Sequence, residues 1–171
     1  MRHILLVGLP GSGKSAIGAQ AAELLRTTCT DIDAVLVRRL QMPLLRIFGE
    51  LGEPRFRELE REAVAAALAE PPGVLVPGGG WAAQPGALEE AQAAAFIIYV
   101  KAQVADAAAW AAQGEIRPLL MGPSLPDRMQ ALLEEREPFY LRAHAEVFNH
   151  RQTVASAAAE VARLAQAHAG W

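Results

Sequence analysis

Gly8-Leu9-Pro10-Gly11-Ser12-Gly13-Lys14-Ser15 follows the apolar run Ile4 to Val7 and matches G-x-x-x-x-G-K-[ST] at each fixed position. In that setting it reads as strand, phosphate-binding loop and helix. Gly8, Gly11 and Gly13 let the backbone take conformations closed to residues with side chains, so successive N–H groups can turn inward onto phosphate oxygens. The helix expected over 14–26 adds unpaired N-terminal N–H groups and the positive end of its dipole. Lys14 can reach the β- and γ-phosphates of a nucleotide, and the Ser15 hydroxyl can ligate Mg²⁺. Gly11, Ser12, Gly13, Lys14, Ser15 and Ala16 are therefore the candidate nucleotide-binding residues. The same stretch also fits the looser dinucleotide pattern G-x-G-x-x-[GA], with Asp31 placed as a ribose-binding acid, but that pattern asks for no Lys-Ser pair. A plain glycine turn leaves the full match unexplained.

A chain of 171 residues suits one domain, 1–171, long enough to bury a core. Its net charge of -3 and pI near 5.8 give no bulk attraction to nucleic acid or to an anionic membrane, so neither is expected as a partner. Cys29 is the only cysteine, which excludes an internal disulfide and a cysteine-based zinc site; on a strand it is expected as a small core residue. Met1-Arg2-His3 leads straight into the first strand with no long apolar segment. The expectation is a cytoplasmic monomer.

The first strand is expected over 3–7, and Ile17, Ala21, Leu24 and Leu25 repeat at helical spacing after it. A second strand over 27–30 ends at Asp31, so Asp31 and Asp33 fall at the carboxyl edge of an open parallel sheet, where ligands bind. If the strand persists, both acids point the same way. Residues 34–69 read as helical, broken by Pro43, Gly49, Gly52 and Pro54, with Glu53, Arg57 and Arg61 on one face. A third strand over 74–76 runs into Gly78-Gly79-Gly80-Trp81, where glycines permit close ligand approach. Helix over 86–94, strand over 95–100 and helix over 103–112 follow. Arg117-Pro118 lies between Gly114 and Gly122-Pro123, the punctuation of a mobile loop, and an arginine on a hinged flap suits closure over transferring phosphate. Pro126-Asp127 start a long helix whose apolar stripe of Met129, Leu132, Leu133, Phe139 and Tyr140 also carries Arg136. A charge there meets either an internal carboxylate or an anionic ligand. A short strand at 147–148 and a helix over 154–168 close the chain.

Taken together, the phosphate loop, Asp31-x-Asp33, Ile47-Phe48-Gly49-Glu50 leading to Phe56-Arg57-x-x-Glu60, Gly78-Gly79-Gly80, Arg117-Pro118-Leu119-Leu120 and Glu135-Arg136 before Tyr140 resemble the shikimate kinase family from the first strand to the last helix. The resemblance implies an α/β three-layer phosphate-loop kinase fold: five parallel strands in the order 2-3-1-4-5 between helices, a substrate-binding insertion at about 33–61 and a lid near 112–124. It implies ATP and Mg²⁺ as cofactors, shikimate as the small-molecule partner, and a place in the shikimate pathway. By position, Asp33, Arg57, Gly79 or Gly80, and Arg136 would hold shikimate, with both arginines on its carboxylate. Ser15 and Asp31 would serve the metal, and Trp110 stands where the family has an arginine lying on adenine. An indole can stack there instead.

A loose phosphoryl-transfer transition state needs alignment and charge neutralisation. Lys14, Arg117 and Mg²⁺ are the expected neutralisers, and Asp33 aligns the attacking hydroxyl, since an ordinary aspartate is a poor early base. Lys14, Asp33 and Arg117 are thus the candidate catalytic residues. Leu36-Val37, Gln41-Met42-Pro43-Leu44 and Trp81 depart from the family pattern near the acceptor site, which leaves open a related kinase acting on another hydroxy acid or cyclitol. A nucleotide-binding regulator is a third possibility, disfavoured because a mere binder needs no acceptor-site forks.

Overall fold

All five residues of β1 (His3–Val7) are buried, the mark of a parallel strand covered on both faces. In the computed structural model β1 is the middle of a parallel sheet with β2 (Cys29–Asp31), β3 (Val74–Val76), β4 (Ala95–Lys101) and β5 (Ala145–Phe148), in the order β2-β3-β1-β4-β5. The structure describes residues 1–114, 118–122, 124–150 and 153–171. Among them, no helix is long and apolar enough to cross a membrane.

The pleat sorts side chains between two cores. Ile4 and Leu6 of β1 face α1 (Lys14–Leu25) and α7 (Val154–His168), together with Val74, Val76, Ile98 and Val100. Leu5 and Val7 face the other way, with Leu75, Ile97 and Tyr99, against α2 (Ile32–Leu40), α3 (Leu44–Leu68), α4 (Ala87–Gln92), α5 (Val104–Gln113) and α6 (Leu125–Tyr140). The result is the three-layer order expected from the resemblance. Both cores reach under the carboxyl ends of the strands, where the phosphate loop leaves β1.

Several expectations change in detail. Leu24 is 57 % exposed, so the inward stripe of α1 is Ile17, Ala21 and Ala22. Cys29 is half-buried because β2 is an edge strand; burial, with the Asp31 charge adding, pushes its thiol up to about 11. The second strand does not persist to Asp33. Asp31 ends β2 and caps α2, its Oδ1 accepting from Ala34 N at 3.1 Å, so Asp33 lies in the first turn of a helix. Gly49 does not interrupt α3, whereas Gly52 does, at φ 77 and ψ 160, and Pro54 then sits just inside the restarted helix, where its missing N–H costs little. A short 3₁₀ turn, Trp81–Ala83, follows the glycine segment.

Candidate active site

The phosphate loop is held from three sides. Gly13 takes φ 92 and caps α1, and a Cβ there would strike the amide nitrogen of Asn149. Asn149 is fully buried at the end of β5 and donates from Nδ2 to the Ser12 carbonyl at 2.8 Å. Lys14 folds back across the loop, its ammonium 2.8 Å from the Gly8 carbonyl and 2.7 Å from that of Leu9. Ser15 Oγ donates to Asp31 Oδ2 at 2.5 Å, so a hydroxyl and a carboxylate from neighbouring elements converge at the sheet edge. Among the described residues no cluster of three or more acidic, His or Cys side chains forms a closed metal cage. One hydroxyl beside one carboxylate is the sparse donor set that suits Mg²⁺, which takes its other ligands from phosphate and water. Gly11, Gly13, Lys14, Ser15, Ala16, Asp31, Trp110 and Asn149 all border one cavity of about 470 Å³.

A second, tighter pocket of about 40 Å³ opens beside it between α2, α3 and α6. Arg57 lies over the Phe56 and Phe48 rings, 5.4 and 6.0 Å from their centroids, and pairs with Glu60 at 3.0 Å and with Glu53 at 3.4 Å. Of the three charges aligned on α3, only Arg57 turns inward; Arg61 runs instead to Glu90 and the Pro85 carbonyl. Arg136 is 4 % exposed and borders the pocket. No carboxylate of the described residues pairs with it, so of the two partners open to it from sequence, an anionic ligand is favoured. Leu119 and Leu120, in the segment expected to form a lid, also line the pocket.

The three glycines serve close approach, since none has a positive φ. A Cβ on Gly78 would come within 2.5 Å of Glu60 Oε1 and 3.1 Å of Asp33 Oδ1. One on Gly79 would enter the Pro10 ring at 2.8 Å, and one on Gly80 would collide with the Arg57 guanidinium. Each glycine therefore admits a different part of the site. Glu60 holds this junction: its Oε1 accepts from Gly78 N at 3.1 Å, and its Oε2 accepts from Arg57 at 3.0 Å and Gln84 at 2.9 Å. Burial pushes its carboxyl up to about 7; the Arg57 charge pulls it down and the Asp33 charge adds to the rise.

Of the residues expected from sequence, the structure gathers Lys14, Ser15, Asp31 and Trp110 on one cavity, Arg57, Gly80 and Arg136 on the other, and Asp33 and Gly79 on both. Arg117 lies outside the described residues. Trp81 does not narrow the acceptor pocket: it is 2 % exposed and turned into the core beside Val64, Leu68 and Ala91. Val37 likewise packs on that core, and Pro43 precedes α3 as its cap. Asn149 and Gln84 were missed, because each acts through a partner remote in sequence that no local pattern reveals.

Fold and site together define a phosphate-loop kinase whose loop cavity adjoins a smaller pocket lined by two arginines and two acids. The profile described as "SKI: Shikimate kinase" matches residues 10–166. A shikimate kinase of Mycobacterium avium is 42 % identical over 139 residues, covering 81 % of this chain and 78 % of that protein. One of Mycobacterium tuberculosis is 38 % identical over 138 residues, with 81 % and 78 % covered. Among solved structures, the shikimate kinase of Acinetobacter baumannii in complex with shikimate superposes with a TM-score of 0.92 at 26 % identity, covering 98 % of this chain and 94 % of that one. The chain belongs to the shikimate kinase family.

Proposed function

We propose that the chain transfers the γ-phosphoryl group of ATP to shikimate, giving shikimate 3-phosphate and ADP, with the loop side of the site holding ATP and the arginine side holding the acid. The observation that carries this division is the shared wall: Asp33, Gly78 and Gly79 border both cavities, so the two substrates would meet there. The reading also draws support from the family and from the relative solved with shikimate.

Arg57 and Arg136 supply two guanidinium forks for the carboxylate, and burial strengthens both contacts. Asp33 stands in the first turn of α2, where the helix dipole favours its charge, and it orients the hydroxyl toward the phosphoryl group. The proton leaves the hydroxyl late, when its oxygen is already bonding to phosphorus, and passes to the Asp33 carboxylate. Lys14 offers its charge to the β- and γ-phosphates by exchanging loop carbonyls for phosphate oxygens. Ser15 and Asp31 would hold Mg²⁺, which when bound neutralises charge on the phosphates. Trp110 borders the nucleotide cavity, and its indole would stack on the base.

A coupled ADP-release assay tests the assignment. Shikimate should be turned over, and other hydroxy acids and cyclitols should not. Equal or faster turnover of another acid would mean that the acceptor has been misassigned. Because Trp81 is turned into the core, the departure that most favoured such an acceptor does not touch the pocket.

A further inference from the structure

Three consecutive glycines have no side chains to hold their backbone, and glycine gives up more conformational freedom on ordering than any other residue. Hydrogen bonds do that work here. Gly78 N donates to Glu60 at 3.1 Å, and the Gly78 carbonyl accepts from Trp81 N at 3.1 Å. The Tyr140 hydroxyl donates to the Gly79 carbonyl at 2.5 Å, from 61 residues away in the chain. In a trans peptide the carbonyl and the following N–H point in opposite directions, so fixing the Gly79 oxygen also fixes the Gly80 N–H.

Tyr140 cannot swing out of this bond. It is 0 % exposed, and its ring centroid lies 5.1 Å from that of Tyr99. Burial pushes the Tyr140 hydroxyl up to about 12 against the pull of the neighbouring Arg136 charge, so it remains a donor at neutral pH. Arg136 stands one helical turn before it on the same face of α6 and borders the acceptor pocket.

We infer that Tyr140 is a positioning residue for the acceptor: its hydroxyl ties the Gly78–Gly80 segment to the turn of α6 that carries Arg136, and so fixes the two halves of the carboxylate-binding wall relative to each other. The inference rests on the assignment of this pocket to the acid's carboxylate. Gly80 and Arg136, which the bond fixes relative to each other, border the acceptor pocket and not the nucleotide cavity.

The test is Tyr140→Phe, which removes one oxygen and keeps the ring. Losing one buried hydrogen bond should raise the Kd and KM for shikimate about tenfold, while kcat and the KM for ATP change by less than about twofold. For shikimate methyl ester, which carries no carboxylate charge, the Kd should change by less than about twofold, so the preference for acid over ester falls about tenfold. Tyr99→Phe, a hydroxyl deletion one ring away, should leave that preference intact. Equal losses for acid and ester would reduce Tyr140 to a structural role, and no loss for either would also overturn the inference. Arg57→Ala separates the two assignments. If it leaves the acid-over-ester preference intact, the pocket itself is misassigned; if it abolishes the preference while Tyr140→Phe does not, only the positioning role fails. A second measurement does not depend on the stability of Tyr140→Phe. The chain has two tyrosines, so 3-fluorotyrosine in the Tyr99→Phe protein reports Tyr140 alone. Its fluorine resonance should move on adding shikimate and not on adding the ester, and an unmoved resonance counts against the inference.

Discussion

Glu60 is shut off from water and faces three donors on two oxygens, so its charge is bound up with that of Arg57. Its folded-state value of about 7 lies above the 4.5 of a free side chain. The stability it contributes is therefore present in full below pH 4.5 and lost as pH rises through about 7. A bound carboxylate adds negative charge nearby and raises the value further, so shikimate binding at pH 7 should take up protons and tighten as pH falls from 8 to 6. Calorimetry in buffers of different ionisation enthalpy should detect that uptake in the wild type and find it gone in Glu60→Gln. Arg57→Ala and Arg136→Ala should each weaken shikimate by roughly 2 to 4 kcal/mol, the scale for losing a buried charge-assisted contact, with ADP affinity spared. Unchanged shikimate affinity in both would rule out the two-arginine clamp. Arg136 was legible as a charge on an apolar stripe, whereas Arg57 looked like its surface neighbours and only the family resemblance singled it out. The part played by Glu60 as the hub of the site was not legible, because its partners Gly78 and Gln84 lie 18 and 24 residues away.

At the scale of elements, the phosphate loop, β1 and α7 could be read directly, since apolar runs, glycine spacing and helical periodicity are local signals. The β2 and α2 junction was misjudged because Asp31 serves both as the last strand residue and as a helix cap, and only the cap geometry tells which follows. In α3 two glycines with similar sequence surroundings behave oppositely. Gly49 lies within the helix with open space where a Cβ would sit, so Gly49→Ala should stabilise the fold by up to about 1 kcal/mol. Gly52 also has room, its nearest neighbour being Pro54 Cδ at 3.8 Å, but its φ of 77 and ψ of 160 belong almost wholly to glycine. Gly52→Ala should therefore cost about 1 to 3 kcal/mol through backbone strain alone. Urea titrations of the two variants should show shifts of opposite sign, and shifts of the same sign would contradict the kink assignment.

Over the whole molecule, strand order was not contained in any local pattern, because the sequence gives elements and the pairing of distant strands decides their order; the resemblance supplied it. Long-range placement also decides what the three tryptophans report. Trp81 is enclosed in the core between α3 and α4, and Trp171 lies at the opposite end from the site, its indole donating to the Arg2 carbonyl at 2.9 Å. Trp110 alone of the three borders the phosphate-loop cavity. If its indole stacks on the base, ADP should change the fluorescence of the wild type and of Trp171→Phe but scarcely that of Trp110→Phe. Stacking on a base is commonly worth about 1 to 3 kcal/mol, so Trp110→Ala should weaken ADP by roughly ten- to a hundredfold and leave shikimate affinity without nucleotide largely unchanged. A Trp110 that only packs α5 against the sheet would instead lower the melting temperature and leave ADP binding alone. An unaltered ADP Kd in folded Trp110→Ala would decide for packing.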